Sequence, residues 1–320
     1  MMKISVIIPF YNAKSCIIRN IESLVNQVLP DDIQLEIVYV NDGSTDGSEL
    51  LLEPYQERYS NVFVYTIANQ GVSNARNVGL ANAQGDFVAF CDVDDYFLPN
   101  YFFSISAPLR DGFDLLVLGY QTVDGELRCC KKSVPRQIAS VLQLKKEMIL
   151  NDDVGGFVWN KVYRKSILKN HLFRKDLSIC EDLYFNIELL MRYSSLKIKT
   201  CDEILYSYVE NDMSASRLYQ NLFDSNGNFK YETTFCAIME IVDKSLFRHT
   251  KAKLFAISSS ILAGNVQKKS LTQMQVKSVR RVARDNIGSF LFCSSISIKK
   301  KITFVLYYVF PILKKIRRMI

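Results

Sequence analysis

Three carboxylates close an apolar run: the segment Asp86-Phe-Val-Ala-Phe-Cys-Asp-Val-Asp-Asp95 places Asp92, Asp94 and Asp95 within four positions. Acids at this spacing repel one another unless a cation offsets them. Oxygen donors with an open coordination sphere suit Mg²⁺ or Mn²⁺ held partly by a phosphate. The same three acids would also make a solvated turn ahead of a helix begun near Pro99. The run before them bears on the choice. Phe87 to Cys91 is apolar without alternation, as in a strand buried on both faces of a parallel sheet, and ligands bind at the carboxyl edge of such sheets.

The elements that must position these acids are legible upstream. Lys3 to Ile8 reads as a β-branched strand ended by Pro9; the loop Phe10-Tyr11-Asn12 then leads into an amphipathic helix near 15–28. Gln34 to Val40 is a second strand. It runs into Asn41-Asp-Gly-Ser-Thr-Asp-Gly-Ser48, whose glycines allow close backbone approach and whose short polar residues can cap a helix. A third strand spans Val62 to Thr66, and the helix from Gly71 to Ala83 carries Asn74, Arg76 and Asn77. Strands alternating with helices over short connections imply right-handed βαβ units and a parallel sheet. Polar clusters at 9–12, 41–46 and 92–95 each follow a strand and should meet at one edge. With Arg76 nearby they would form a pocket with acid for a metal and base for phosphate.

Four segments in this order carry a resemblance: Ser5-Val-Ile-Ile-Pro-Phe-Tyr-Asn12, Val40-Asn-Asp-Gly-Ser-Thr-Asp-Gly47, Gln70-Gly-Val-Ser-Asn-Ala-Arg-Asn-Val-Gly79 and Phe90-Cys-Asp-Val-Asp-Asp95. Together they resemble the signature of family 2 glycosyltransferases, inverting enzymes of GT-A fold that use nucleotide-activated sugars. The resemblance is firm over the first hundred residues and looser to about residue 216. It implies that Pro9 and Tyr11 line the nucleoside pocket, Tyr11 against the base, while Asp42 bonds the base imide and favours uracil. It places Asn74 and Arg76 on the nucleotide-sugar side, Arg76 approaching the diphosphate. Asp92 would reach the ribose or the metal, and Asp94 would be the principal protein ligand to Mn²⁺ or Mg²⁺. Asp95 would ligate directly, contact the sugar or support its neighbours. Tyr11 could equally be a packed aromatic, and Arg76 a surface ion pair.

Downstream, Asp114 to Gly119 looks like a buried strand, Thr122 to Cys130 a hairpin turning at Asp124-Gly125, and Ile138 to Leu150 a helix. Then Gly155-Gly-Phe-Val-Trp-Asn-Lys-Val-Tyr-Arg164 contains the single tryptophan, and Ile179-Cys-Glu-Asp-Leu-Tyr-Phe-Asn186 begins a helix. The alternative is that acids at a helix start merely complement its dipole. Yet these segments resemble the W-N-K and E-D segments of bacterial family 2 enzymes. The resemblance makes Asp182 the catalytic base and leaves Glu181 to orient the acceptor or share the pocket. Inversion needs such a carboxylate, since the acceptor hydroxyl must lose its proton as it attacks opposite the leaving diphosphate. Trp159 is a candidate sugar platform and Lys161 a candidate phosphate or acceptor contact; core packing and a solvated lysine are the alternatives. Tyr206 to Arg217 resembles a loop that closes over the donor. Related sequences often have a histidine there, whereas this chain offers only Asn211, Ser214 or Arg217. His171 and His249 read as structural.

Charge divides the chain. Residues 1–243 hold 23 Lys/Arg against 32 Asp/Glu, a net of −9, and 244–320 hold 17 against the single Asp285, a net of +16. Beyond about 220 the pattern is helical, with Phe229 to Phe247, Lys251 to Val266 and Thr272 to Asn286 as candidates. The tail from Lys299 to Arg318 sets about twelve apolar residues between seven basic ones. That is too short to span a bilayer but suits an interfacial helix on anionic lipid, or else a packed helix with a solvated end. No nucleic-acid module accompanies the charge. Eight cysteines without zinc-like spacing read as free thiols, and no signal-peptide core is evident.

The expectation is therefore an α/β GT-A protein: a mixed, mostly parallel sheet flanked by helices, over 1–218. Its nucleotide-binding half would be 1–110 and its acceptor half 111–218. A helical, basic, membrane-associating region would follow over 219–320. The expected activity is transfer from a UDP-sugar to a glycan or lipid-linked acceptor, performed in the cytoplasm at the inner membrane face. The alternatives are a GDP- or dTDP-sugar donor, or a non-catalytic scaffold of the same fold. A nicotinamide dehydrogenase is disfavoured, because no G-x-G-x-x-G follows the first strand.

Overall fold

A computed structural model describes residues 1–210, 219–268 and 270–309, with side chains at 219–220, 266–268 and 305–309 outside the description. The chain separates into two compact units, Met1–Asn211 and Asp212–Ile320.

The first unit opens with β1 (Met2–Phe10), α1 (Ile17–Val25), β2 (Ile33–Asn41), α2 (Glu53–Arg58), β3 (Val62–Thr66), α3 (Val72–Asn82) and β4 (Phe87–Phe90). These four strands are parallel. Their register pairs Phe10 with Asn41 and Ile7 with Phe90, so the turns after β1, β2 and β4 emerge along one edge, as the sequence pattern requires. Burial is nearly complete along β1, β2 and β4, which is why they read as unbroken apolar runs. Helix α3 lies close on the sheet. A Cβ on Gly79 would sit 2.3 Å from Ile7 Cγ2, so only glycine permits this approach.

The second half adds β5 (Tyr96–Phe97), α4 (Tyr101–Arg110), β6 (Leu115–Val123), β7 (Cys129–Ser133), α5 (Val141–Leu150), β8 (Lys161–Arg164), α6 (Glu181–Arg192) and β9 (Ile198–Val209). All nine strands form one sheet in the order β3-β2-β1-β4-β8-β6-β9-β5, with β7 paired to β6. Strand β8 runs antiparallel to both β4 and β6, while β9 is parallel to β6 and antiparallel to β5. The sheet is thus mixed, with its parallel part first. Neither β8 nor β9 stands out in sequence. The first spans four residues, and the second carries Lys199, Asp202 and Glu203 on its outer stretch, which breaks the apolar pattern. The hairpin after β6 turns at Asp124, whose carboxylate accepts from the amides of Glu126 and Arg128 at 3.0 and 2.9 Å.

The second unit contains α7 (Lys230–Ile241), α8 (Lys244–Lys268), α9 (Gln273–Leu291) and α10 (Ile298–Val309). The helix expected over Phe229 to Phe247 breaks at Asp243, whose carboxylate accepts from the amides of Ser245 and Leu246 and so starts a new helix. A capping box of Thr272 and Gln275 opens α9. Phe255 of α8, Phe290 of α9 and Phe304 of α10 pack in sequence, with centroids 4.7 and 5.5 Å apart. Among the described residues no helix is long and apolar enough to cross a membrane.

Candidate active site

The turn Asp92–Asp95 is held from beneath. Asn20 of α1 is fully buried; its Nδ2 donates to the carbonyls of Asp92 and Asp95 at 3.2 and 2.9 Å, and its Oδ1 accepts from the Tyr39 hydroxyl at 2.5 Å. Arg19 donates to the Asp94 carbonyl at 2.5 Å. From the far side, Tyr206 of β9 accepts from the Asp92 amide at 3.2 Å and donates to Asp95 Oδ2 at 2.7 Å, while the Val209 amide donates to Asp95 Oδ1 at 2.8 Å. Asp95 is therefore sealed inside and ties β9 to the turn. Asp92 and Asp94 remain partly open. Burial, reinforced by the charge of Asp92, pushes the Asp94 carboxyl up to about 6. Sequence reasoning missed Asn20 and set Tyr206 at the head of a loop over the donor, whereas Tyr206 lies in strand β9, paired to β5 and β6. A signal for the first existed: Asn20 interrupts the buried stripe Ile17–Ile21–Leu24, and a polar group there demands partners.

Arg76 joins this turn to the start of α6. It lies 4% exposed on α3, with one nitrogen 3.0 Å from Asp92 Oδ1 and the other 2.8 Å from Glu181 Oε1, its guanidinium 5.3 Å from the Phe173 ring centroid. Its Nε makes no hydrogen bond. The two carboxylates outweigh the burial and keep the guanidinium charged. Asp182 stands next to Glu181, and its side chain accepts from the Leu183 amide at 2.9 Å. Burial, followed by the charge of Glu181, pushes Asp182 up to about 7, with Arg76 opposing the rise. Asp92, Glu181 and Asp182 thus share one charged cluster. The residue before the acid pair, Cys180, holds φ at 55°, a left-handed conformation that is uncommon for a side chain other than Asn, Asp or Gly. No sequence pattern announced it.

Around the turns after β1 and β2, Pro9 is buried within β1, whereas Tyr11 is 50% exposed and free to meet a planar ring. Asp42 has both oxygens engaged, accepting from the amides of Gln70 and Gly71 at 2.9 and 2.8 Å. It fixes the entry to α3, where Gly71 adopts φ +90°. Asn74 is buried in the first turn of that helix.

The sequence profile described as Glycosyl transferase family 2 matches residues 5–172. The chain belongs to that family. It is 31% identical over 251 residues to an Escherichia coli K12 protein named uncharacterized glycosyltransferase YibD, covering 76% of this chain and 70% of that one. It is 26% identical over 260 residues to TarS of Staphylococcus aureus, a poly(ribitol-phosphate) beta-N-acetylglucosaminyltransferase, covering 80% of this chain and 43% of TarS. The crystal structure of S. aureus TarS 1–349 in complex with UDP-GlcNAc superimposes with a TM-score of 0.65 at 22% identity. The match covers 90% of this chain and 82% of that one, and it shows the shared GT-A fold.

Two family 2 positions turn inward in this chain. Trp159 is 4% exposed and stacks between Phe157 and Tyr206, with centroids 4.7 and 4.8 Å away, so the face expected to receive a sugar is covered by its own neighbours. Lys161 is fully buried, and its ammonium donates to the carbonyls of Val154, Gly155 and Phe157 and to Asn160 Oδ1 at 2.6–3.2 Å. Burial lowers its pKa to about 7. The contact expected with phosphate or acceptor gives way to a brace: this lysine knots the 154–157 loop, which Asn186 of α6 also holds by donating to the Gly156 carbonyl at 2.7 Å. The W-N-K and E-D segments therefore meet through backbone carbonyls. His171 is buried with Nε2 2.8 Å from the Phe185 carbonyl, a packing role. Asn211, Ser214 and Arg217 lie outside the described residues.

Among the described residues no three of His, Cys, Asp and Glu converge to enclose a metal ion. The donor set suits a weaker arrangement. Among the described residues Asp94 makes no ion pair, and it carries a raised proton affinity beside Asp92, a pair that a divalent ion would relieve, with the remaining positions left to phosphate oxygens and water.

Proposed function

We propose that this family 2 member is an inverting, metal-dependent glycosyltransferase. It moves a sugar from a UDP-sugar to a hydroxyl of a glycan or lipid-linked oligosaccharide in surface polysaccharide synthesis. The supporting observation is the single guanidinium of Arg76, within 3.0 Å of both Asp92 on the donor turn and Glu181 beside Asp182. Donor and base residues so linked can serve one reacting centre.

In this reading Tyr11 stacks on the uracil, and Asp42, with Pro9 and Asn74, shapes the nucleoside side. Mn²⁺ or Mg²⁺ held by Asp94 and Asp92 would offset negative charge on the departing diphosphate. Asp182 accepts the proton of the acceptor hydroxyl as its oxygen bonds to the anomeric carbon. The bond from that carbon to the diphosphate breaks, and UDP leaves with the electron pair. The raised proton affinity of Asp182 suits a base that works near neutral pH. Glu181, anchored by Arg76, orients the acceptor or shares the pocket, and its charge raises the proton affinity of Asp182. Since the Trp159 face is covered, the acceptor is recognised by other residues.

Location at the inner membrane face is supported by the charge of residues 244–320 and by the exposure of Ile298 and Ile302, 74% and 55%, beside Lys299 and Lys300. The test is a panel of UDP-, GDP- and dTDP-sugars, each with Mn²⁺, read by thermal stabilisation and by release of the nucleotide. Stabilisation and turnover with a UDP-sugar are the expected result. A response only to GDP- or dTDP-sugars would overturn the uracil assignment, and binding without turnover in the presence of acceptor lipid extract would point to a scaffold.

A further inference from the structure

Helix α9 presents an outward face of unusual make-up. Its core side is Val279, Val282, Ala283, Asn286 and Phe290. On the opposite side, at helical spacing, lie Met274, Lys277, Arg280, Arg281 and Arg284, continued by Leu291 and Phe292. Arg281 is committed, with its nitrogens 2.9 and 2.6 Å from the Glu232 carboxylate, and Arg284 lies 3.4 Å from Asp285. Lys277 and Arg280 are exposed and have no ion pair among the described residues. A shallow, open depression on this face is lined by Leu271, Met274, Lys277, Arg280 and Arg284. At the two ends of this stripe Met274 is 76% and Phe292 74% exposed.

Cations alone on a helix would be an ordinary solvated face. Large exposed apolar side chains at both ends of the cationic stripe give this face the make-up of a surface that seats in an interface, cations toward an anionic layer and apolar groups beyond it. We propose that the outward face of α9 is a membrane-docking surface. Lys277, Arg280 and Arg284 would meet anionic lipid headgroups, and Met274 and Phe292 would enter the acyl boundary. The inference deepens the membrane reading given above by adding a contact separate from the basic tail, and it does not depend on the chemistry at Asp182.

The full-length protein is sedimented with sucrose-loaded vesicles of phosphatidylcholine alone or mixed with phosphatidylglycerol, in parallel with retention on immobilised polyphosphate. The side chains substituted on α9 and at Phe292 are exposed, and circular dichroism checks that the helices persist. K277Q/R280Q/R284Q should reduce partitioning onto the mixed vesicles roughly a hundredfold, at ~1 kcal/mol for each cation near an anionic surface. M274S/F292S should reduce it at least about tenfold, from lost apolar burial, with retention on polyphosphate unchanged. If M274S/F292S binds vesicles normally while K277Q/R280Q/R284Q loses polyphosphate, the face serves an anionic polymer and the proposal fails. The tail is tested apart with K299Q/K300Q/K301Q. Loss of binding in that variant, with α9 variants behaving as wild type, would leave the tail reading standing and overturn the α9 surface. Wild-type partitioning in all three variants would overturn both.

Discussion

Replacing Arg76 with methionine removes the cation that bridges the donor turn and the E-D pair. Breaking a buried ion pair by removing one partner costs about 3–5 kcal/mol. The lower end applies here, because Asp92 and Glu181 retain 30% and 13% side-chain exposure through which water can return. A loss of about 3 kcal/mol at about 2–4 °C per kcal/mol lowers the Tm by roughly 6–12 °C. The more diagnostic effect is on pH dependence. Arg76 lowers the proton affinity of Asp182, so without it that affinity climbs above its value of about 7. The carboxylate form needed for proton abstraction then becomes scarcer at neutral pH, and the acidic limb of the rate profile moves to higher pH. Arg76→Lys keeps the charge but not the fork that reaches two carboxylates, and it should fall between the two. The assay is UDP release against pH for wild type, Arg76→Met and Arg76→Lys, with thermal unfolding of each. An acidic limb that stays in place or moves to lower pH in Arg76→Met would refute the electrostatic link.

Three further outcomes follow from particular contacts. Asp182 holds its proton up to about 7 when folded, whereas an unfolded aspartate releases it near its ordinary value of 3.8. Unfolding therefore releases a proton between those values, and wild-type stability falls as pH rises through that window. Asp182→Asn should gain stability over wild type progressively from pH ~4 to ~7, which thermal melts across that range will read. Asn20→Ala removes the partner of the Tyr39 hydroxyl and of the Asp95 carbonyl in the interior, while the Asp92 carbonyl keeps the Asp95 amide at 3.0 Å. It should cost about 2–4 kcal/mol and weaken UDP affinity beyond what a stability-matched core variant does, as measured by calorimetry. Gly79→Ala drives a methyl into Ile7, should cost about 1–3 kcal/mol, and should be partly relieved by Ile7→Ala in the same chain, as read by denaturant unfolding.

The first half of the fold was legible because β1, β2 and β4 are buried on both faces and their turns carry Asn, Asp and Gly at fixed places. The second half was not. Strand β8 is four residues around a lysine, and β9 is polar where its outer end meets solvent, so their pairing is dictated by backbone ladders to β6 and not by side-chain pattern. The same division holds in the site. Asp92, Asp94, Arg76, Glu181 and Asp182 were found as acids and a base in ordered motifs. Their supports were hidden, because Asn20, Tyr206 and Cys180 act through hydrogen bonds or backbone angle, which residue type alone does not disclose. Trp159 and Lys161 misled for a related reason: an aromatic and a cation in a motif signal chemistry, yet here one is stacked shut and the other is spent on four oxygens.

The central claim is that the Asp92–Asp94 turn holds the donor while Asp182 serves the acceptor across the same centre. Calorimetric titration of UDP in the presence of Mn²⁺, set beside turnover, separates the two roles. Asp182→Asn should bind UDP as wild type does and lose at least the ~10²-fold in rate typical of a missing general base, while Asp94→Ala should lose metal-dependent UDP binding. Unchanged turnover in Asp182→Asn, or undiminished Mn²⁺-dependent affinity in Asp94→Ala, would contradict it.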